Sequence, residues 1–341
     1  MSKVATDFQR STGVNYPLKA KDLVVLDYFI GYISYIGLVG VACGLAFVLG
    51  QYYISGDPVI YQEYYRNVST LSLDDGYLYY RNNTGGIEPI YFLLTWIASQ
   101  FFEKYWFDAI LNSILLVLGL RYLNKNCVRK FLIPLLLINF YVFIMIFSAD
   151  RLKLGFIIFL WGGVLGEKKG WVLFVTSVFA HVQMAVPAAL YGIVKFCNRP
   201  LKRVLFPLFV GALAMSAILL LFPQISEYIS GKFDFYSRDV NIVTSIAKVM
   251  VFVILIFRYN FQQPRLSIVI SIALVLLSGL IGSDRVVMIA YFVFLYFGLR
   301  VNNGLNFGVI ATSFYFSAKA GLFVYSVLTI GNAFPDEFLL N

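Results

Sequence analysis

Apolar stretches of membrane-crossing length recur along this chain from about residue 28 to about residue 330, and the short breaks between them carry its charges, asparagines, glycines and prolines. A helix rises 1.5 Å per residue, so about 20 apolar residues match a hydrocarbon layer of ~30 Å. No water satisfies backbone groups inside that layer, which leaves helices and closed barrels as the structures that span it. A barrel needs segments of about ten residues with period-2 alternation, and none is present. With 60% hydrophobic and 13% charged residues and a mean hydropathy of +0.78, the chain lacks the polar surface to cover a soluble globule. The predicted fold is all-α, a polytopic membrane helical bundle forming one domain over residues 1–341.

Basic residues decide the orientation, because short loops rich in lysine and arginine stay cytoplasmic. The formal net charge of +9 is therefore assigned to cytoplasmic loops, and no nucleic-acid partner is expected. Residues 1–26 are polar and carry Lys3, Arg10, Lys19 and Lys21, which reads as a cytoplasmic tail and not as a cleaved signal peptide. A first crossing from Tyr28 to Leu49 leads to an outer segment, residues 50–104, whose first 40 or so residues carry Asp57, Glu63, Asp74, Asp75 and Glu88 against only Arg66 and Arg81. Its many tyrosines suit either a sugar-contacting surface or an interfacial aromatic belt.

Pro89 to Phe102 is too short to span comfortably and reads as an interfacial or re-entrant helix opened by its proline. Crossings follow at Tyr105 to Tyr122, Phe131 to Ala149 and Leu152 to Gly166. The run 171–194 lies between Lys168-Lys169 and the basic cluster Lys195, Arg199, Lys202 and Arg203. Basic loops at both ends predict a re-entrant helix pair with its tip near His181, helped by Pro187. Val204 to Phe222 then leads to a second outer loop, residues 223–241. The last crossings are Ile242 to Arg258, Leu266 to Gly282, Val286 to Arg300 and Leu305 to Ile330. The sum is nine full crossings plus the hairpin, or eleven if both of its arms count as spans.

Four cations stand against the charge rule on the outer face: Arg151, Lys153, Arg238 and Arg285. Asp150 beside Arg151 and Asp284 beside Arg285 read on their own as ion pairs locking short turns. Taken together the four cations point to a ligand, because isolated ion pairs at this depth are costly. Guanidinium forks match phosphate oxygens and keep their charge when partly desolvated, so the cluster suits a membrane-anchored phosphate or diphosphate. His181 is the single histidine, which excludes the usual His-based metal sites. The three cysteines share no metal or disulfide spacing, so neither metal nor cofactor is expected. A carboxylate or neutral imidazole can accept the proton of an attacking sugar hydroxyl, a task open to His181 and to the outer carboxylates Asp57, Asp74, Asp75 and Glu88, although Asp74-Asp75 before Gly76 reads as a solvated turn.

These landmarks resemble the EpsG/Wzy-type membrane polymerases of bacterial exopolysaccharide and O-antigen. An early G-x-D segment followed by tyrosines is echoed by Gly56-Asp57 with Tyr61, Tyr64 and Tyr65, and an E-P-x-[FY] helix start by Glu88-Pro89-Ile90-Tyr91. The central arginine before a basic turn resembles Arg151 with Lys168-Lys169. An F-H-x-S-A-like motif is similar to residues 179–185 around His181, with Ala180 intervening, and a late S-x-R-x-x-x-Y element resembles Ser283-Asp284-Arg285 ahead of Tyr291. Leu152 stands where glutamine commonly follows the central arginine.

The resemblance implies a glycosyltransferase of the bacterial inner membrane with its active site on the periplasmic side. Its donor and acceptor are undecaprenyl-diphosphate-linked glycans held among membrane lipids, and a chain-length regulator protein is a further partner such an enzyme would take. Arg151, Arg285, Arg238 and Lys153 would bind the diphosphate, and His181, Glu88 or Asp57 would serve as base or orienting group. The alternatives are an O-antigen ligase-like glycosyltransferase and a lipid-linked oligosaccharide flippase. A flippase is expected to place charges near the bilayer midplane and to show paired halves.

Overall fold

The computed structural model describes residues 35–52, 54, 57–196, 242–280 and 283–331. Every regular element among them is helical. In chain order they are α1 (Tyr35–Tyr52, ending in a 3-10 turn), α2 (Asp57–Val68), α3 (Leu73–Thr84), α4 (Pro89–Ser99), α5 (Lys104–Lys125), α6 (Leu132–Leu137), α7 (Phe140–Phe147), α8 (Asp150–Leu165) and α9 (Glu167–Ala180). After a 3-10 turn, Val182–Met184, come α10 (Ala185–Phe196), α11 (Ile242–Tyr259), α12 (Pro264–Leu280), α13 (Ser283–Gly298) and α14 (Phe307–Ile330).

Among the described helices, α1, α5 and the stretch Val301–Ile330 containing α14 are long and apolar enough to cross a membrane, and several shorter apolar helices accompany them. The expected crossing Val204 to Phe222 and the loop 223–241 lie outside the described residues. Phe131 to Ala149, expected as one crossing, is not one continuous helix. It is interrupted between α6 and α7, where Asn139 caps α7 by accepting from the Tyr141 N–H at 3.0 Å and donates to the Tyr291 hydroxyl at 2.8 Å. An internal cap that finds partners on both sides stabilises a break that apolarity alone would not signal.

The segment 57–99 folds into three short helices that pack on one another. Ser72 opens α3 by accepting from the Asp75 N–H, Asp74 and Asp75 occupy the first turn where carboxylates favour the helix dipole, and Gly85 closes α3 with φ +56°. The tyrosines here are neither a sugar-facing surface nor a membrane belt in the main: Tyr61, Tyr64, Tyr65 and Tyr80 are buried. Tyr64 shares a 2.8 Å hydrogen bond with Thr95, and the Tyr80 ring lies 5.3 Å from that of Tyr64 and 5.9 Å from that of Tyr91. With so few aliphatic residues in α2 and α3, the aromatic rings supply the buried apolar area of this cap.

Two long contacts set the frame beneath it. α8 and α9 touch backbone to backbone, since a Cβ at Gly162 would sit 2.9 Å from the Gly170 carbonyl oxygen. Small residues permit such close approach between membrane helices. α5 runs parallel to α8: Lys104 reaches Asp150 at their first turns, and Lys125 reaches the Gly163 and Val164 carbonyls at their last. α11 packs on α12 and α13, and α14 on α6 and α7.

Candidate functional site

The site forms where the small cap meets the first turns of α5 and α8 and the break between α9 and α10. Glu88 is the residue before the opening proline of α4 and is 2% exposed. Its Oε2 accepts from the Tyr80 hydroxyl at 2.8 Å, the Ile87 backbone N–H at 3.0 Å and Arg151 Nη1 at 3.1 Å. Its Oε1 lies 3.0 Å from His181 Nδ1. Burial opposes ionisation of Glu88, but the His181 hydrogen bond, the Arg151 charge and the Tyr80 hydroxyl outweigh it and hold the carboxyl below the usual range. Burial raises the Tyr80 phenol, which keeps it a donor.

A carboxylate only accepts, so His181 Nδ1 carries the proton in this pair. A neutral imidazole then presents its lone pair at Nε2, which lies 3.2 Å from the Gln183 side-chain amide. That amide meets the lone pair with its NH2 group once turned over, a rotation that keeps the same shape. His181 reaches Glu88 because the helix stops there: its φ of −159° and ψ of 123° are extended, and Pro187 cannot donate to residue 183 in a continuous helix. Gly155 makes room opposite, since a Cβ there would lie 2.6 Å from Met184 and 3.2 Å from His181.

Arg151 is 15% exposed on its side chain, and its guanidinium lies 5.6 Å from the Tyr61 ring centroid. Asp57, exposed at the first turn of α2, lies one helical turn before Tyr61. Gly86 permits the whole arrangement, because a Cβ would strike the Tyr80 hydroxyl and lie 2.7 Å from Arg151 Nη1.

The charged turn that opens α8 divides between two networks. Asp150 does not pair with Arg151. It lies 2.6 Å from Lys104 and 3.1 Å from Lys153, and Lys104 also binds Asp108 at 2.5 Å. Residues one apart on a helix diverge by about 100° whereas residues three apart share a face, so Asp150 and Lys153 turn toward α5 and Arg151 toward Glu88. Lys153, placed among the diphosphate ligands from sequence, has 0% side-chain exposure and carboxylates at 3.1 and 3.7 Å. That enclosure leaves it no face for a phosphate. Lys319, a charge inside α14, lies 4.2 Å from the centroid of the Phe140 ring.

Of the sequence candidates, the structure brings Glu88, Arg151 and His181 into one hydrogen-bonded group, leaves Asp57 exposed one turn before the Tyr61 ring that Arg151 faces, and turns Lys153 toward Asp150 and Asp108. Arg238 and the Arg285 side chain lie outside the described residues. Tyr80, Gln183, Gly86, Lys104 and Asp108 went unnamed as site residues. The Lys104 and Asp108 spacing of four, on a helix entering an apolar run, was a signal available in the sequence.

A family model described as the EpsG family matches residues 36–330, most of the chain. Neither a curated protein nor a solved structure matches it.

Proposed function

This chain belongs to the EpsG family, and on that premise we propose that it polymerises lipid-diphosphate-linked oligosaccharide repeat units at the outer face of the bacterial inner membrane. The observation that carries this reading is the Glu88 carboxylate binding Arg151 through Oε2 and His181 through Oε1. One buried group thereby orients a cation for a leaving diphosphate and an imidazole for an incoming hydroxyl.

The acceptor sugar hydroxyl forms the new bond to the anomeric carbon of the donor glycan. The bond from that carbon to the diphosphate oxygen breaks, and its electron pair leaves on the diphosphate. The hydroxyl displaces the Gln183 amide from His181 Nε2, which then takes the hydroxyl proton, while Glu88 fixes the tautomer that leaves Nε2 basic. Of the two roles open to Glu88, its full set of donors and its lowered affinity for a proton favour orienting over acting as the base. Arg151, with Arg238 and Arg285, stabilises the charge developing on the diphosphate. Asp57 stands as a contact to the acceptor at the rim.

The test is polymer formation from purified lipid-diphosphate repeat units in nanodiscs. A ladder of glycans from the wild type, reduced about 10²- to 10³-fold in folded Arg151→Ala and His181→Ala, is the expected outcome. No ladder from the cognate substrate, with intact lipid-linked units moving across a vesicle, would replace this reading with transport.

A further inference from the structure

A second compartment lies at the other end of the bundle. Between the later turns of α5, α8 and α13, closed by α6, α7, α9, α10 and α12, is a cavity of about 410 Å³. Its wall is apolar, with Leu116, Phe156, Phe174, Leu190, Ile289 and Phe292 among the lining residues. Cavities of about 300 to 1,000 Å³ are the size of ligand sites, and a protein interior is otherwise close-packed.

Among the described lining residues two are charged, Lys125 and Arg300, and these two are also the exposed ones. Lys125 is fixed by donating to the Gly163 and Val164 carbonyls at 3.0 and 2.9 Å, where the end of α8 has unpaired acceptors. The Arg300 guanidinium stacks 3.9 Å above the centroid of the Tyr296 ring, itself part of the wall. Among the described residues neither cation makes an ion pair. Two held cations at the edge of an apolar chamber match an amphiphile with an apolar chain and an anionic head.

The geometry points to a lipid site in this cavity, separate from the Glu88 group, that takes a phosphate-headed lipid with its chain along the aromatic wall and its head at Lys125 and Arg300. Phosphatidylglycerol and a polyprenyl phosphate share this chemistry. The site does not depend on the glycosyl transfer proposed above.

Native mass spectrometry of the full chain after detergent delipidation tests it, with phosphatidylglycerol, polyprenyl phosphate and phosphatidylcholine added back separately. One anionic lipid per chain should be retained and phosphatidylcholine lost. The anionic lipid retained more strongly identifies the source. Lys125→Gln with Arg300→Gln should weaken retention about tenfold, and Val293→Trp should block it by filling the chamber. The two surface substitutions keep the test valid even if the tryptophan variant does not fold. Equal retention of phosphatidylcholine, or full retention in the Lys125→Gln/Arg300→Gln variant, would overturn the site. Arg151→Ala should retain lipid normally, so a failed polymerisation assay and a failed lipid site give different results.

Discussion

Asp150 and Arg151 are adjacent in sequence and belong to different kinds of network. Asp150 joins Lys104, Asp108 and Lys153 in a group of two cations and two anions that is closed around its cations, with Lys104 and Lys153 buried and Asp108 keeping 21% of its side chain exposed. Arg151 joins Glu88, His181 and Tyr80 in a group whose cation keeps 15% of its side chain exposed. The closed group ties the first turn of α8 to the first turn of α5, so its consequence is mechanical. The open group holds an imidazole and a guanidinium on two oxygens of one carboxylate, the arrangement proposed above to act chemically. Charge in an apolar setting therefore does not by itself mark a ligand site. What separates the two groups is whether the cations are enclosed beside carboxylates, as Lys104 and Lys153 are, or keep an accessible edge, as Arg151 does.

The largest effect should come from the residue that holds both halves of the open group. Glu88→Gln keeps the shape but offers an amide where two acceptor oxygens stood, so it releases Arg151 and no longer fixes the His181 tautomer. Polymer formation should fall by about 10²- to 10⁴-fold. Glycan ladders measured on protein that elutes as a single species would show this, and near-normal ladders would remove Glu88 from the mechanism. In the closed group, Asp150→Ala strands Lys104 and Lys153 beside one carboxylate. A loss of about 3–5 kcal/mol in stability is expected, read as a lower melting temperature in detergent, with turnover per folded molecule much less affected. A large drop in turnover at unchanged stability would merge the two networks into one.

The sequence showed why the open group is unusual before its geometry was known. A glutamate before a helix-opening proline, an arginine beginning an apolar run and a single histidine ahead of Pro187 are each anomalous in a bilayer context. The pairing of Glu88 with Arg151 was not legible, because 63 residues separate them and the contact depends on how the α2–α4 cap sits. Tyr61, Tyr64 and Tyr80 misled for a related reason. Tyrosine suits a surface as well as a core, and only the packing of short helices poor in aliphatic residues turns these rings inward. Lys153 was grouped with Arg151 as a cation of the same turn, whereas residues two apart on a helix point to different faces and residues three apart, Asp150 and Lys153, share one. The interruption at Asn139 was hidden by strong apolarity on both sides.

Gly86 offers a smaller and sharper perturbation. A methyl group there pushes on the Tyr80 hydroxyl and on Arg151 Nη1 without touching any member of the closed group. Gly86→Ala should cost about 1–3 kcal/mol through overpacking and should lower turnover through displaced Arg151. Gly163→Ala is the matched control, because its Cβ meets only the Tyr122 ring at 3.1 Å. Equal turnover losses in the two would mean that general packing, and not the position of Arg151, governs the rate.

The smallest expected effect is the acid limb of stability, and it too divides the networks. Glu88 is held below the 4.5 of an unperturbed glutamate, by His181, Arg151 and Tyr80 acting against burial. Between the lowered folded value and 4.5 the unfolded chain binds the proton and the folded chain does not, so stability rises with pH across that window. The contribution of Glu88 is fully present above 4.5 and is lost as pH falls below it toward the folded value. Glutamine does not titrate, so Glu88→Gln should flatten the melting-temperature curve between about pH 3 and 4.5 while leaving other acid-sensitive groups in place. Parallel wild-type and Glu88→Gln curves in that window would mean that the Glu88 carboxylate gains no protection on folding, and with it would go the orienting role assigned to this residue.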